Sequence, residues 1–255
     1  MKRSKDLVKF LRFLYPERCM LCRQIIPEGD KPWLCGQCDG SLTWIEPPVC
    51  PLCGTAFEGG EICADCHKQA VSRRIPNRSA LVYDDVARDL IHDFKYNGRK
   101  SIGHGLAALV AAHMDRVVFQ QADALVPVPL HSTRLRERGF NQALLLAGAL
   151  SELIGIPVAN TLIRARATVR QSALSKRERL ANVSDAFQLE PHTAITGKRL
   201  LLIDDIYTSG STVEACGGVL YKAGAAFVGS FTIAKTVKKI DGDGPEADAD
   251  YKRTR

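Results

Sequence analysis

Eight of the nine cysteines lie in four pairs, and two residues separate the members of each pair. This spacing lets both thiolates of a tight turn face one ion, and four thiolates complete a tetrahedral zinc site. We therefore predict two structural zinc ions, since a site closed by four thiolates leaves no position open for a substrate. The predicted ligands are Cys19, Cys22, Cys35, Cys38, Cys50, Cys53, Cys63 and Cys66.

The cysteine pairs can combine in two ways. In sequential pairing the first two pairs hold one ion and the last two hold the other, which gives two zinc ribbons in tandem. Interleaved pairing gives a cross-braced module. Sequential pairing is favoured because each half then repeats the same short arrangement of two cysteine pairs. His67 directly follows the last pair and is interpreted as a bystander, and Cys216 is interpreted as a small buried apolar residue of a predicted helix.

Two adjacent acids, Asp204 and Asp205, follow an apolar run and precede a loop of small residues. Ligands of an open α/β sheet bind beyond the carboxyl ends of its strands, and loop amides at a helix N-terminus can hold a phosphate group. The acids would repel that phosphate, so they suit the neighbouring hydroxyls of a ribose or a divalent metal. The pattern indicates a ribose 5-phosphate unit, with its phosphate at Thr208, Ser209, Gly210, Ser211 and Thr212.

Strand-like and helix-like segments alternate after the last cysteine pair, which indicates an α/β fold with a mainly parallel sheet flanked by helices. Continuous apolar runs of the kind buried on both faces of such a sheet predict strands. Apolar residues at helical spacing, with glycine as the stop, predict helices. The predicted strands are 79–85, 122–130, 199–207 and 226–236, and the predicted helices are 86–98, 102–114, 139–155 and 210–224.

The overall composition indicates the location of the protein and the charge of its ligands but does not specify its function. The net charge of +7 attracts phosphorylated metabolites, nucleic acid or acidic lipid surfaces without choosing among them. No apolar run approaches the ~20 residues that span a bilayer, and we expect a cytoplasmic protein without a membrane span. The predicted units are an amphipathic helix over 1–18, a double zinc ribbon over 19–70, the α/β domain over 75–237 and a disordered tail over 238–255.

A basic segment precedes the strand that carries the acids. Between positions 164 and 179 it contains six Lys or Arg residues and one Glu. We interpret it as a flap that closes over a bound ligand and excludes water. A solvated basic loop and a contact to a nucleic-acid backbone are the alternatives. Few aromatic residues are interleaved, so sequence-specific reading of a single strand is not indicated.

The stretch 200–212 closely resembles the phosphoribosyl pyrophosphate (PRPP) signature of type I phosphoribosyltransferases, although Tyr207 stands where that signature is usually aliphatic. Four features in this order resemble the ComF/GntX family. They are the four cysteine pairs, the stretch 126–147 with its Arg-Gly-Phe-Asn-Gln sequence at 138–142, the Arg/Gln/Arg/Asn block of 164–187, and the PRPP signature with its tyrosine. The resemblance implies a type I phosphoribosyltransferase-like fold for residues 75–237.

The same resemblance implies roles for individual residues. The acids would contact the ribose hydroxyls of PRPP, and a loop after Val128 and Pro129, with Arg134 and Arg138, would face its pyrophosphate. Mg²⁺ and arginine would neutralise the charge that develops on the departing pyrophosphate. The implied catalytic residues are Asp204, Asp205 and Arg138, and the implied PRPP-binding residues are Asp204, Asp205, Thr208, Ser209, Gly210, Ser211, Thr212, Arg134 and Lys95.

Three classes of function are compared with these features. The favoured one is a Mg²⁺-dependent phosphoribosyltransferase with an unknown acceptor, which the resemblance links to DNA uptake and natural transformation. The alternative is a non-catalytic sensor of PRPP or nucleotide, or a DNA-binding adaptor that engages single-stranded DNA or the DNA-uptake machinery through its zinc ribbons and basic surface. A purely structural zinc protein would leave the acid pair unexplained.

Overall fold

A computed structural model describes residues 16–27, 32–68, 75–96, 100–113, 121–165 and 186–237. Three predictions fall largely or wholly on residues outside these ranges. They are the N-terminal helix, of which only 16–18 are described, the flap beyond residue 165, and the tail from residue 238. Arg18 pairs with Ile25 in an antiparallel bridge, so it belongs to the zinc-binding region.

A four-stranded parallel sheet forms the centre of the α/β part, in the order β1–β6–β5–β2. The described strands are β1 (Asn77–Val82), β2 (Ala124–Pro127), β3 (Leu162–Arg164), β4 (Phe187–Leu189), β5 (Arg199–Tyr207) and β6 (Phe227–Lys235). The four predicted strands are confirmed, and β5 has its predicted bounds. β1 ends earlier than predicted because Asp84 accepts a hydrogen bond from the Ala87 N–H and begins a helix.

Helices cover both faces of the sheet, because parallel neighbours must be joined by crossovers. The described helices are α1 (Gly36–Asp39), α2 (Ala64–His67), α3 (Asp85–Tyr96), α4 (Lys100–His113), α5 (Ser132–Arg138), α6 (Gln142–Ile154) and α7 (Ser211–Lys222). The four predicted helices correspond to α3, α4, α6 and α7. Within the described part of the chain, no helix combines the length and apolar character needed to cross a membrane.

The apolar core has two layers, one on each face of the sheet. On one face, α3, α4 and α6 contribute buried residues such as Phe94, Leu106 and Leu146. On the other face, α7 packs with the antiparallel β3–β4 pair, and its Cys216 and Leu220 are fully buried. The buried position confirms the interpretation of Cys216 as an apolar residue, and burial raises the pKa of its thiol. Both faces of β5 are therefore covered.

Each set of four cysteines forms a compact cluster, and the sequential pairing is confirmed. The clusters are Cys19, Cys22, Cys35 and Cys38, and Cys50, Cys53, Cys63 and Cys66, whose sulfurs all lie within 4.8 Å of one another in each cluster. The Sγ–Sγ distances of 3.7, 3.8 and 3.6 Å for three of these contacts match the roughly 3.8 Å expected around tetrahedral zinc. The exposed His67 belongs to neither cluster.

Backbone donors favour the thiolate form that zinc requires at one cysteine of each cluster. Burial raises the pKa of the Cys50 thiol, but backbone N–H groups of residues such as Cys53 and Cys63 lower it to about 6. Burial is likewise outweighed at Cys19, where backbone N–H groups bring the pKa to about 7. Burial and the neighbouring thiols raise the pKa of Cys38 and of Cys66. The geometry of the clusters therefore carries the assignment of two structural zinc ions.

The zinc-binding region extends the sheet at its edge. Residues 43–45 run antiparallel beside β1, where the Ile45 N–H donates to the Ala80 carbonyl and the Val82 N–H donates to the Thr43 carbonyl, both at 2.9 Å. This pairing covers the edge of β1, which would otherwise expose unpaired backbone groups.

The first cysteine cluster also packs against α3. Met20 and Leu34 belong to the same buried cluster as Phe94 of that helix. Arg23 adds an ion pair with Asp93 at 3.2 Å. The first zinc site therefore lies against the helix whose last turn contains Lys95, one of the predicted binding residues.

We expect two zinc ions per chain, measured by elemental mass spectrometry of the purified protein. Cys63→Ala removes one of four ligands from the second cluster and should lower the content from two ions to one. Cys216→Ala is the matched control, since this cysteine is also buried but belongs to neither cluster, and it should retain both ions. Equal zinc contents in the two variants would contradict the assignment.

Candidate functional site

A cavity of about 230 Å³, here called the cleft, opens at the carboxyl ends of β2 and β5. Val128 and Pro129 follow β2 on one side, and Asp204 and Asp205 stand near the end of β5 on the other. This edge of an open α/β sheet is the usual place for a ligand. The polar side chains that line the cleft are Lys95, Arg134, Arg138, Asn141, Gln142, Arg164, Asp204, Asp205, Thr208 and Thr212.

The two acids leave β5 on opposite faces of the sheet, as neighbouring residues of a strand do. Asp205 extends towards α3, where its Oδ2 lies 2.8 Å from the Lys95 Nζ. Asp204 lies on the other side, under the electrostatic influence of Arg164 and near Cys216. Its Oδ1 accepts a hydrogen bond of 2.9 Å from the Asp205 N–H. Both carboxyl groups still reach the cleft because the strand ends there.

Burial, followed by the neighbouring Asp205 carboxylate, raises the pKa of Asp204 to about 7. The hydrogen bond from the Asp205 N–H and the charges of Lys95 and Arg164 oppose this rise without cancelling it. The side chain keeps some exposed surface, but protein groups surround the carboxyl on most sides, so desolvation dominates. Asp204 is therefore partly protonated near neutral pH, and an arriving cation favours loss of that proton.

The small-residue loop begins α7 with a glycine that no other residue can replace without strain. Gly210 precedes the helix with φ of 79°, and a Cβ there would meet the Tyr207 hydroxyl and lie 2.8 Å from Cζ of the same ring. Tyr207 is buried, and the Lys235 Nζ lies 4.4 Å from its ring centroid. The aromatic residue at this position therefore supports the loop from beneath.

The four hydroxyl groups of the loop divide into two pairs. Thr208 and Thr212 line the cleft, whereas Ser209 and Ser211 do not. The two serine hydroxyls instead share a hydrogen bond of 2.8 Å, which fixes the shape of the loop. α7 begins at Ser211, so the positive end of its dipole lies beside the cleft.

The sequence predicted that Arg134 and Arg138 lie in a loop, but they lie on the short helix α5. The side chain of His131 caps this helix by accepting a hydrogen bond from the Thr133 N–H at 3.3 Å. Gly139 ends it with φ of 76°. The two arginines are four residues apart and share a helix face, so both reach the cleft. Seven residues without a buried position offer no apolar periodicity, which explains the wrong prediction.

Asn141, which follows α5, connects two neighbouring elements. Asn141 caps α6 by accepting from the Ala143 N–H at 3.0 Å, and its Nδ2 donates to the Val128 carbonyl at 3.1 Å. One side chain therefore joins the start of α6 to the end of β2.

Gln142 had no role in the sequence-based prediction, although only 2% of its surface is exposed. Its Oε1 accepts from Arg138 at 3.1 Å, and its Nε2 donates to the Lys95 carbonyl at 3.4 Å. The second terminal nitrogen of Arg138 donates to the Tyr96 hydroxyl at 3.0 Å. Gln142 thus positions two cationic residues at once. Its place at the end of the Arg-Gly-Phe-Asn-Gln motif and at the start of an otherwise apolar helix was the indication in the sequence.

Arg164 was predicted only as part of the basic segment, but it lines the cleft at the end of β3. Its guanidinium lies 5.2 Å from the Phe187 ring centroid. Burial and then the charge of Arg134 lower its pKa, while Asp204 favours its charged form. With Arg164 included, the described cleft has four cationic side chains, Lys95, Arg134, Arg138 and Arg164, around two acids. Such a site favours a ligand with several negative charges.

Solved structures match part of the chain. It is similar to the glutamine PRPP amidotransferase of Bacillus subtilis, with 24% identity and a TM-score of 0.33, over 56% of this chain and 27% of that one. The α/β class itself is given by the parallel pairing and the two helical layers described above.

Sequence relatives match nearly the whole chain. Residues 10–67 match the family described as "Double zinc ribbon domain". The chain is 33% identical over 209 residues to "Competence protein ComFC" of Bacillus subtilis, which covers 80% of this chain and 84% of the relative. It is 32% identical over 232 residues to "DNA utilization protein YhgH" of Escherichia coli, which covers 87% of this chain and 98% of the relative. Because this identity extends over most of both chains, the protein belongs to the ComF family, with ComFC and YhgH as relatives.

Proposed function

We propose that the cleft binds PRPP together with Mg²⁺ and transfers the phosphoribosyl group to a nitrogen acceptor. The observation that carries this proposal is the position of Asp204 and Asp205, between a helix-start loop on one side and a group of cations on the other. PRPP has the same order of parts, since its ribose hydroxyls lie between a 5′-phosphate and a pyrophosphate. The location expected from the sequence, the cytoplasm, remains part of the proposal.

Each part of PRPP has a complement in the cleft. The 5′-phosphate is assigned to Thr208, Thr212 and the N-terminus of α7, where hydroxyls and the helix dipole favour an anion. The ribose hydroxyls are assigned to the two acids. The pyrophosphate is assigned to the arginines at the opposite wall, which can donate paired N–H groups to phosphate oxygens. These arginines are Arg134, Arg138 and Arg164.

The donor set also fits Mg²⁺. Carboxylate oxygens are its usual protein ligands, and it completes its coordination with water and substrate phosphates. When bound with PRPP, the ion would neutralise charge on the departing pyrophosphate. The Lys95 ammonium contacts the Asp205 carboxylate at 2.8 Å and holds it in place, and Asp204 would lose its proton when the ion binds.

In the proposed reaction, the bond between the ribose C1′ and the pyrophosphate oxygen breaks, and pyrophosphate leaves with the electron pair. The acceptor nitrogen forms the new bond to C1′ and loses a proton. The arginines stabilise the negative charge of the leaving group in a partly enclosed site, where such stabilisation is strongest. No covalent intermediate with the protein is required.

A second function is supported by different observations. The names of the two relatives refer to competence and to DNA utilization, and this chain has a net charge of +7. We propose as the alternative a non-catalytic adaptor, in which the cleft senses PRPP or a nucleotide while the basic surface binds single-stranded DNA. DNA affinity that falls steeply with salt, in a protein that releases no pyrophosphate from PRPP, would favour this alternative.

Replacing both acids by Asp204→Asn and Asp205→Asn should reduce Mg²⁺–PRPP binding at least about tenfold, because charged hydrogen-bond partners are lost. Isothermal titration calorimetry measures this change. Folding should survive: the pKa of Asp204 is higher in the folded chain than its ordinary value, so ionisation lowers stability as pH rises towards 7, and Asn removes that cost. Asp89→Asn on the exposed side of α3 is the control. Unchanged affinity in a folded double variant would reject the assignment.

The raised pKa of Asp204, about 7, predicts a pH dependence of binding. The carboxyl is neutral below this pH and ionised above it, and a metal-bound ligand requires the ionised form. Its ionised fraction grows about tenfold between roughly pH 6 and pH 8. Affinity for Mg²⁺–PRPP should rise by this factor in the wild type relative to Asp204→Asn. The variant corrects for titration of PRPP itself, so identical pH profiles of the two proteins would contradict the role of Asp204.

Gly210→Ala tests the phosphate loop. The positive φ and the contact with Tyr207 should lower stability by about 1–3 kcal/mol and weaken binding of the 5′-phosphate. Gly148→Ala in α6 is the matched control, because a Cβ there meets nothing within 4 Å and the helix gains by up to ~1 kcal/mol. Thermal unfolding and titration with ribose 5-phosphate measure the two effects. A Gly210→Ala protein as stable and as tightly binding as Gly148→Ala would contradict the described loop.

A further inference from the structure

A second cavity, of about 430 Å³, lies at the opposite end of the same sheet. It is here called the amino-edge cavity, because the first residues of β1, β5 and β6 form part of its wall. Ile45 and Val49 of the zinc-binding region form another part. Leu200 in its wall and Asp204 in the cleft are four residues apart on β5, which corresponds to roughly 13 Å along a strand. The cavity therefore does not overlap the cleft.

The wall of the amino-edge cavity is mostly apolar. Ile45, Val49, Leu200, Leu201 and Phe227 are among the residues that line it. A cavity of several hundred cubic ångströms with an apolar wall, at the meeting of two structural units, is typical of a small-molecule site. Apolar surface of this kind favours a ligand with an apolar or aromatic body.

Two arginines with spare donors, Arg78 and Arg199, line this mostly apolar wall. The Arg199 guanidinium stacks 4.7 Å from the Phe227 ring centroid and donates to the backbone and side-chain oxygens of Gln121 at 2.8 and 2.7 Å. Its Nη1 has no hydrogen-bond partner among the described residues. Arg199 is thus held in place by protein groups before any ligand arrives.

Arg78 is held in the same manner from the other side. Its Nη1 donates to the carbonyls of Pro51 and Asn77 at 3.0 and 2.9 Å. Its Nε and Nη2 make no hydrogen bond to the part of the chain that the structure describes. A guanidinium has five N–H donors, so each arginine retains capacity for an acidic group. The single acid in the wall, Glu46, is exposed, which leaves the cavity with a net positive charge.

We propose that the amino-edge cavity binds a small amphipathic anion, whose apolar or aromatic body packs on β5 and β6 and whose acidic group pairs with Arg78 and Arg199. The apolar wall, the volume and the two preset guanidinium groups all select this class. The proposal is independent of PRPP binding, because it uses none of the residues of the cleft.

The probe is 8-anilinonaphthalene-1-sulfonate, an aromatic body with one acidic group, whose fluorescence rises on transfer to an apolar site. The full-length zinc-loaded protein should bind one probe saturably. N-phenyl-1-naphthylamine has the same aromatic body without the acid, and its affinity should be about tenfold lower because no charge-assisted hydrogen bond forms. A neutral probe that binds as tightly as the anion, or the absence of saturable binding, would overturn the proposal.

Variants locate the bound probe. Arg199→Gln should weaken binding of the anion about tenfold and leave the neutral probe unchanged. Ala122→Trp places a large side chain at the half-buried wall and should abolish binding of both probes. Arg88→Gln, which removes an equal charge from the exposed face of α3, should have no effect. Circular dichroism and zinc content verify folding, and if Ala122→Trp fails these checks, Arg199→Gln decides. Equal affinities in wild type, Arg199→Gln and a folded Ala122→Trp would overturn the proposal.

Discussion

The arrangement of the cleft depends on holding two carboxyl groups side by side at the end of one strand. Adjacent acids repel each other, and burial adds to the cost, as the raised pKa of Asp204 reflects. Neighbouring strand residues face opposite sides, so cations approach the acid pair from two layers. Lys95 from the α3 side contacts Asp205 and also favours the charged form of Asp204, as does Arg164 from the β3 side. Both layers therefore contribute to holding the acid pair.

This requirement links the zinc sites to the cleft, although no cysteine cluster lines it. The first cluster packs on α3 through Met20, Leu34 and the Arg23–Asp93 ion pair. The same helix ends with Lys95 and Tyr96, which position Asp205 and Arg138. Thiolate coordination supplies folding energy that so short a segment cannot obtain from an apolar core. The ions thus act as structural supports for a helix whose last turn borders the cleft.

The sequence predicted the features that local chemistry determines. Paired cysteines can serve few purposes, and the run from Arg199 to Tyr207 is apolar enough to be a strand buried on both faces. The α5 helix and the β3–β4 pair were missed because elements of seven and three residues have too few positions to show a period. Arg164 and Gln142 acquire their roles only through contacts with residues distant in sequence. No sequence pattern indicates which basic or polar residue will be enclosed in that way.

The two ends of the sheet differ in character for a physical reason. At the carboxyl edge, α7 begins and polar loops meet, so the cleft has hydroxyls, acids and a helix dipole. At the amino edge, the zinc-binding region packs beside the strands. The zinc-binding region packs closely on β1. A Cβ at Gly54 would lie 2.6 Å from the Asn77 carbonyl oxygen, so the cysteine turn can approach β1 only because that residue is glycine. Beside this contact, the zinc-binding region and the first residues of the strands lie further apart. The amino-edge cavity, with its mostly apolar wall, lies between them.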